Sequence, residues 1–150
     1  MRLLKIPRAG VTAVESALVF PAVFLLLLGL AVGGAGMMRY QEMAALAREA
    51  ARWASVHGRD YAKATGNPPA TASDVYANSI APNAYGLDPA QLLYTVAWDT
   101  DNGTYHTVIV NGDVVAVRNN VSVTVSYQWI PEAFLGGVTL TSTSVMPMSY

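Results

Sequence analysis

Gly10-Val11-Thr12-Ala13-Val14-Glu15-Ser16-Ala17-Leu18-Val19-Phe20 opens a run that carries no charged side chain from Ser16 to Met38. Its centre, Leu25-Leu26-Leu27-Leu28, is pure hydrocarbon. About 20 such residues cover the hydrocarbon core of a bilayer, so the run predicts a transmembrane helix. Glu15 stands at the edge of that run. A carboxylate inside a bilayer costs a few kcal/mol and marks a functional position by default.

Working outward, the residues before the run are basic: Arg2, Lys5 and Arg8, with no acid among them. Cationic flanks stay cytoplasmic, whereas Arg39, Arg48 and Arg52 beyond the run are more widely spread. The expected orientation is N-terminus inside and C-terminal domain outside. Charged residues make up 13% of the chain and apolar ones 53%, and that charged share is about half the usual one. A net charge of −1 implies no basic nucleic-acid surface. With no cysteine, disulfides and thiolate metal sites are excluded as well.

Three readings of the leader stay open at this point. One is an ordinary secretory signal cut near Ala31-Val32-Gly33, though the apolar run exceeds the 7–15 residues such signals use and Glu15 interrupts its start. A plain uncleaved anchor is the second. It leaves the spacing of Gly10 and Glu15 without a reason. The third is a class III prepilin-type leader, cut between Gly10 and Val11 on the cytoplasmic face, with the apolar segment retained.

Past Met38 the helical period continues but turns amphipathic. Met43, Leu46, Ala47, Ala50, Trp53 and Ala54 fall on one side, with Arg39, Glu42, Arg48, Glu49, Arg52 and Ser55 on the other. Glu49 and Arg52 are spaced to pair on the exposed side. His57-Gly58 is the expected stop, the glycine taking a left-handed turn. A helix from Val11 to His57 would be about 70 Å long, kinked or loosened at Pro21. Gly29, Gly33 and Gly36 share one side of the span, and small residues at that spacing let helix backbones approach closely in lipid.

Gly66-Asn67-Pro68-Pro69 breaks the chain. Thr71-Ala72-Ser73-Asp74 has the form of a capped helix start, with a short helix to about Ala81 ended by Pro82. From Leu92 the period becomes two. Five strands are expected: Leu92–Trp98, Tyr105–Val110, Val114–Val117, Val121–Trp129 and Val138–Val145. Asn111-Gly112 is a two-residue hairpin turn. Val121, Val123, Val125, Tyr127 and Trp129 alternate with polar residues and should line a buried face, joined in the sheet core by Tyr94, Trp98 and Tyr105. The fold class is α+β: a long transmembrane and amphipathic helix, a short helix, and a small antiparallel sheet as an exported head.

No catalytic set emerges. His57 and His106 are the only histidines and read as surface or capping residues. No phosphate loop, His-Glu metal pattern or nucleophile motif is present. Asp99-Thr100-Asp101-Asn102-Gly103 faintly resembles a calcium loop, but it lacks the terminal bidentate glutamate and reads better as a turn. No metal, cofactor, nucleic acid or small-molecule substrate is expected.

Taken together, the basic leader, Gly10, Glu15, Leu25-Leu26-Leu27-Leu28-Gly29 and Ala47-Arg48-Glu49-Ala50-Ala51-Arg52 with Ala54-Ser55 resemble the TadE-like proteins. These are minor pseudopilins of the tight-adherence (Tad/Flp) type IVb pilus system. The resemblance covers Arg8 to Ser55 and departs from the family at Ala50, where a glycine is usual. It implies a non-enzymatic, single-pass protein of the bacterial inner membrane, cleaved after Gly10 by a prepilin peptidase. Its partners would be lipid and other pilins or pseudopilins of the system. Gly10 and Val11 would be the cleavage residues. Glu15 would pair with the new amine of a neighbouring subunit. The implied layout is leader 1–10, span 11–38, helix continuation 39–57 and pilin-like head 58–150. The competing layout is a secreted or tethered binding module on an ordinary signal or anchor.

Overall fold

The computed structural model describes residues 9–131 and 136–149, the side chains of Ala9 and Val11 excepted; the first eight leader residues lie outside it. The chain divides into two compact units between Met37 and Met38. Helix α1 runs from Ala9 to Val56 and is assigned as helix through Pro21. Within the first unit its apolar side chains are open: Leu18 is 80% exposed and Leu30 71%. Among the described residues, α1 is the one helix long and apolar enough to cross a membrane.

The second unit has the hydrophobic core. The last turns of α1 bring Met43, Leu46, Ala47, Ala50, Ala51 and Ala54 into one cluster with Val75, Ile80, Leu92, Val121, Val123, Val125, Tyr127 and Met148. Alanines at this contact take up little room between the helix and the apolar face of the sheet. Each fully buried valine of this group contributes about 1.5–3 kcal/mol over its exposed state. Ser55, expected on the polar side, is buried. Its hydroxyl donates to the Arg52 carbonyl (2.8 Å) and its own carbonyl accepts from Ser149 N–H (2.8 Å), so the polar atoms enter the core fully bonded. The i,i+3 ion pair on this helix is Arg39–Glu42 (3.0 Å), and Glu49 and Arg52 do not pair.

Beyond α1 the backbone departs from expectation twice. Gly58 is not left-handed: at φ −85° it is the N-cap of a further helix, α2 (Arg59–Thr65), which periodicity did not announce in so short a stretch. The left-handed cap is Gly66, at φ 77°. The second departure concerns Pro82. Thr71 and Asp74 form the expected capping box at the start of α3 (Ala72–Val75), but the helical path then widens into a π turn (Tyr76–Ile80) and continues as α4 (Ala81–Asn83). A proline ring collides with the carbonyl four residues back in a regular helix. Widening the preceding turn, with Ala81 N–H reaching the Tyr76 carbonyl, lets Pro82 stay inside.

A 3-10 turn (Pro89–Gln91) leads into the strands β1 (Leu92–Trp98), β2 (Tyr105–Val110), β3 (Asp113–Arg118), β4 (Asn120–Trp129) and β5 (Val138–Pro147). They form two antiparallel sheets, one ordered β1-β4-β5 and the other the β2-β3 ribbon. The Asn111-Gly112 turn closes that ribbon with both residues at positive φ (53° and 93°), the geometry a two-residue hairpin requires. Val121, Val123, Val125 and Tyr127 are buried along β4 while their neighbours face out. Tyr105 is a correction. It is 51% exposed on the ribbon, where its ring carries the Arg118 guanidinium at 5.5 Å.

Candidate assembly site on the N-terminal helix

Gly10 and Glu15 lie in the first turns of α1 as described, and both are exposed. Gly10, Val14, Glu15 and Leu18 line one shallow groove on the helix surface, where Val14 is 71% exposed. Val11 precedes Glu15 by four residues, one helical turn. A carboxylate set among open hydrocarbon can do little alone in lipid, but it can hold a cation presented by another molecule. Gly29 and Gly33 follow on the same helix. A Cβ added at either would meet nothing within 4 Å, so no contact among the described residues calls for glycine there. Gly36 is half-buried.

The remaining candidates serve the fold. His57 stacks on Trp53 at 4.0 Å and its Nδ1–H donates to the Trp53 carbonyl (2.7 Å), while its own carbonyl accepts from Ala70 N–H (3.0 Å). It fastens the end of α1. His106 lies half-buried on β2, its Nδ1 without a hydrogen-bond partner. No group of three or more metal-ligating side chains occurs among the described residues.

The loop 99–103 is wholly engaged. Asp101 accepts from Arg59 Nη1 (2.8 Å), from Gly103 N–H (2.8 Å) and from Asn119 Nδ2 (3.1 Å). Asn102 donates to the Ala70 carbonyl (2.7 Å), and Asp99 accepts from the Asn120 side chain (2.8 Å). A Cβ at Gly103 would sit 2.6 Å from Arg59 Nη2, so a larger residue there would push that guanidinium aside. With every carboxylate aimed at a protein donor, the loop is a clamp between α2, β1 and β4.

Two residues of this clamp escaped the sequence reading. Asn119 is fully buried and bonds Gly103 O (2.9 Å), Asp101 and Thr100 Oγ1 (2.9 Å) at once. Asp60 accepts from the Thr104 hydroxyl (2.6 Å) and amide (3.1 Å) and from Lys63 (3.2 Å). Neither sits in a motif, and only the folded partners reveal them. The Thr104 hydroxyl first, then its amide, then Lys63 lower the Asp60 pKa from 3.8 to about 2. A lowered carboxylate pKa stabilises the fold above its unfolded value, and that contribution disappears as pH falls through the folded one. Asp60→Asn should therefore flatten the fall in melting temperature between pH 4 and pH 2. Identical wild-type and variant acid profiles would rule this out.

Residues 10–52 match the family model described as TadE-like protein. The TadE-like segment includes Gly10, Glu15, the three glycines and the Ala47-to-Arg52 block, and it stops short of the strands. No curated protein and no solved structure matches the chain.

Proposed function

We propose that this chain is a non-enzymatic pseudopilin-like subunit of a Tad-type pilus system. In this reading it is anchored in the bacterial inner membrane by residues 11–38 and exports a head of residues 58–150 on the helix continuation 39–57. The TadE-like match over residues 10–52 carries the reading. Support comes from an apolar helix with open side chains and from Gly29 and Gly33, which no contact among the described residues explains.

The mechanism follows from the charges. A prepilin peptidase removes residues 1–10 at the cytoplasmic face and frees an amine on Val11. Glu15 then holds the corresponding amine of a neighbouring pilin or pseudopilin. A paired charge is tolerable in an apolar bundle where a lone one is not, so the pair fixes the stagger of adjacent helices. Gly29, Gly33 and Gly36 let those helices close on one another.

N-terminal sequencing of the mature protein tests this. The expected start is Val11, and Gly10→Leu should leave the leader attached, seen by mass spectrometry as retention of the first ten residues. A mature chain that begins beyond Gly33 would replace this reading with that of a secreted binding module.

A further inference from the structure

We propose that the free edge of β5 is a docking strand for β5 of a second copy of this chain, paired antiparallel about Thr143. β5 is the outer strand of the β1-β4-β5 sheet and runs for ten residues. Among the described residues, its outward main-chain groups find no partner beyond the Ser149 hydroxyl on the Pro147 carbonyl. Natural edges are normally guarded by lysine, proline or a bulge. Here the sequence Val138-Thr139-Leu140-Thr141-Ser142-Thr143-Ser144-Val145-Met146-Pro147 carries no charge, has its proline at the last position, and pairs with β4 without interruption. The other edge, β1, has its Tyr94 ring stacked on Tyr76 at 4.7 Å, where the helical segment flanks it.

What fits this edge is dictated by its two faces. Leu140, Ser142, Ser144 and Met146 point toward the core, opposite Tyr127, Val125, Val123 and Val121. They are only half-buried, while Val121, Val123 and Val125 are fully buried, so the core is incompletely covered along this flank. Thr139, Thr141, Thr143 and Val145 point the other way. There Thr143 pairs with the Thr124 hydroxyl (2.8 Å) and Thr141 with Ser126 (2.9 Å).

A twofold centred on Thr143 keeps both faces aligned, because opposed residues in an antiparallel pair share a face. It sets Leu140 against Met146 of the copy and Thr141 against Val145. Ser142 meets Ser144, and Thr143 meets itself. On the core side Leu140 and Met146 thus meet apolar to apolar at both ends with the Ser142 and Ser144 hydroxyls paired between them, and on the other face Thr143 continues the hydroxyl row from Thr124 across the new seam. With no charge on either strand, self-pairing brings no like-charge repulsion. The product is a six-stranded sheet with the half-covered flanks of both cores closed together. This inference does not depend on the fate of the leader.

The absence of cysteine makes the test direct. Single variants Thr139→Cys, Thr141→Cys, Thr143→Cys and Val145→Cys of the full chain in detergent are exposed to mild oxidation. Thr143→Cys places two sulfurs at a distance a disulfide accepts, whereas each of the others separates its own pair by at least 13 Å or so along the strands. Thr143→Cys should give about tenfold more cross-linked dimer than the others alone. An equimolar mixture of the Thr141→Cys and Val145→Cys chains should link where neither does singly. Equal linking at all positions, as association through the apolar helix or parallel pairing would produce, overturns the proposal. So does a failure of Thr143→Cys to link.

Discussion

Asn119→Ala is expected to destabilise the Met38–Tyr150 unit by about 2–4 kcal/mol, because it strips a buried polar hub of all three side-chain bonds. The amide of Asn119 donates to the Gly103 carbonyl and to Asp101, and its oxygen accepts from Thr100. Truncation leaves the buried Gly103 carbonyl without its donor, while Asp101 loses one of three donors and keeps Arg59 and Gly103 N–H. The desolvation cost of such an orphaned carbonyl exceeds the net worth of the bond it lost. The same residue holds the fold through its backbone, donating to the Thr104 carbonyl (3.0 Å) and accepting from Met148 N–H (2.8 Å). The variant should therefore loosen the loop and the C-terminal segment together. For a unit of this size the melting temperature should drop by about 10 °C or more. Asn120 supplies the comparison. Its amide also bonds an aspartate, Asp99 (2.8 Å), but on the exposed side. Asn120→Ala should cost well under half as much, since water replaces the lost partner. Equal melting shifts for the two neighbours would show that burial of the hub is not what matters.

That contrast also marks how far the sequence can be read. Regular elements announce themselves through periodicity. The strand Val121-to-Trp129 alternates because a half-buried sheet demands it, and Met43, Leu46, Ala47 and Ala50 recur because a helix rolls one face onto the core. Asn111-Gly112 and the Thr71/Asp74 cap were legible for a different reason, since their chemistry is local to three or four residues. Ala51 and Ser55 were missed because the buried arc is wider than a strict apolar stripe, and small residues do not declare a side. The π turn before Pro82 was missed because a helix has a second answer to proline besides ending. Asn119 and Asp60 were out of reach altogether. Apart from Lys63, three residues from Asp60, their side-chain partners lie 16 to 44 residues away in the chain, and no periodic or local rule connects Asp60 to Thr104. For the candidate site the balance is reversed. Gly10 and Glu15 stand out in the sequence through a spacing beside an uncharged run, and the folded chain adds only that their surroundings are open.

Glu15→Ala is expected to leave membrane insertion intact and to impair incorporation into the proposed assembly. Insertion of a helix depends on summed transfer cost, and replacing a carboxylate with a methyl group lowers that cost by a few kcal/mol. The variant therefore enters the bilayer at least as well as the parent. Assembly responds in the opposite sense. In the proposed bundle each Glu15 offsets the amine that cleavage leaves on Val11 of a neighbour. Its removal strands that amine in hydrocarbon, and breaking one side of a buried ion pair costs about 3–5 kcal/mol. At about 1.4 kcal/mol per decade, each subunit contact weakens by two orders of magnitude or more. Because a neutral amide can still accept a hydrogen bond from the amine, Glu15→Gln should retain part of the interaction, and its defect should fall between parent and alanine. The measurement is co-purification with the other pilins or pseudopilins, beside membrane fractionation of the same cells. Two results separate the possible failures. Loss of the protein from the membrane would mean that Glu15 acts in insertion, whereas full co-purification of the alanine variant would remove the ion pair from the account and leave close helix packing at Gly29, Gly33 and Gly36 as the sole source of register.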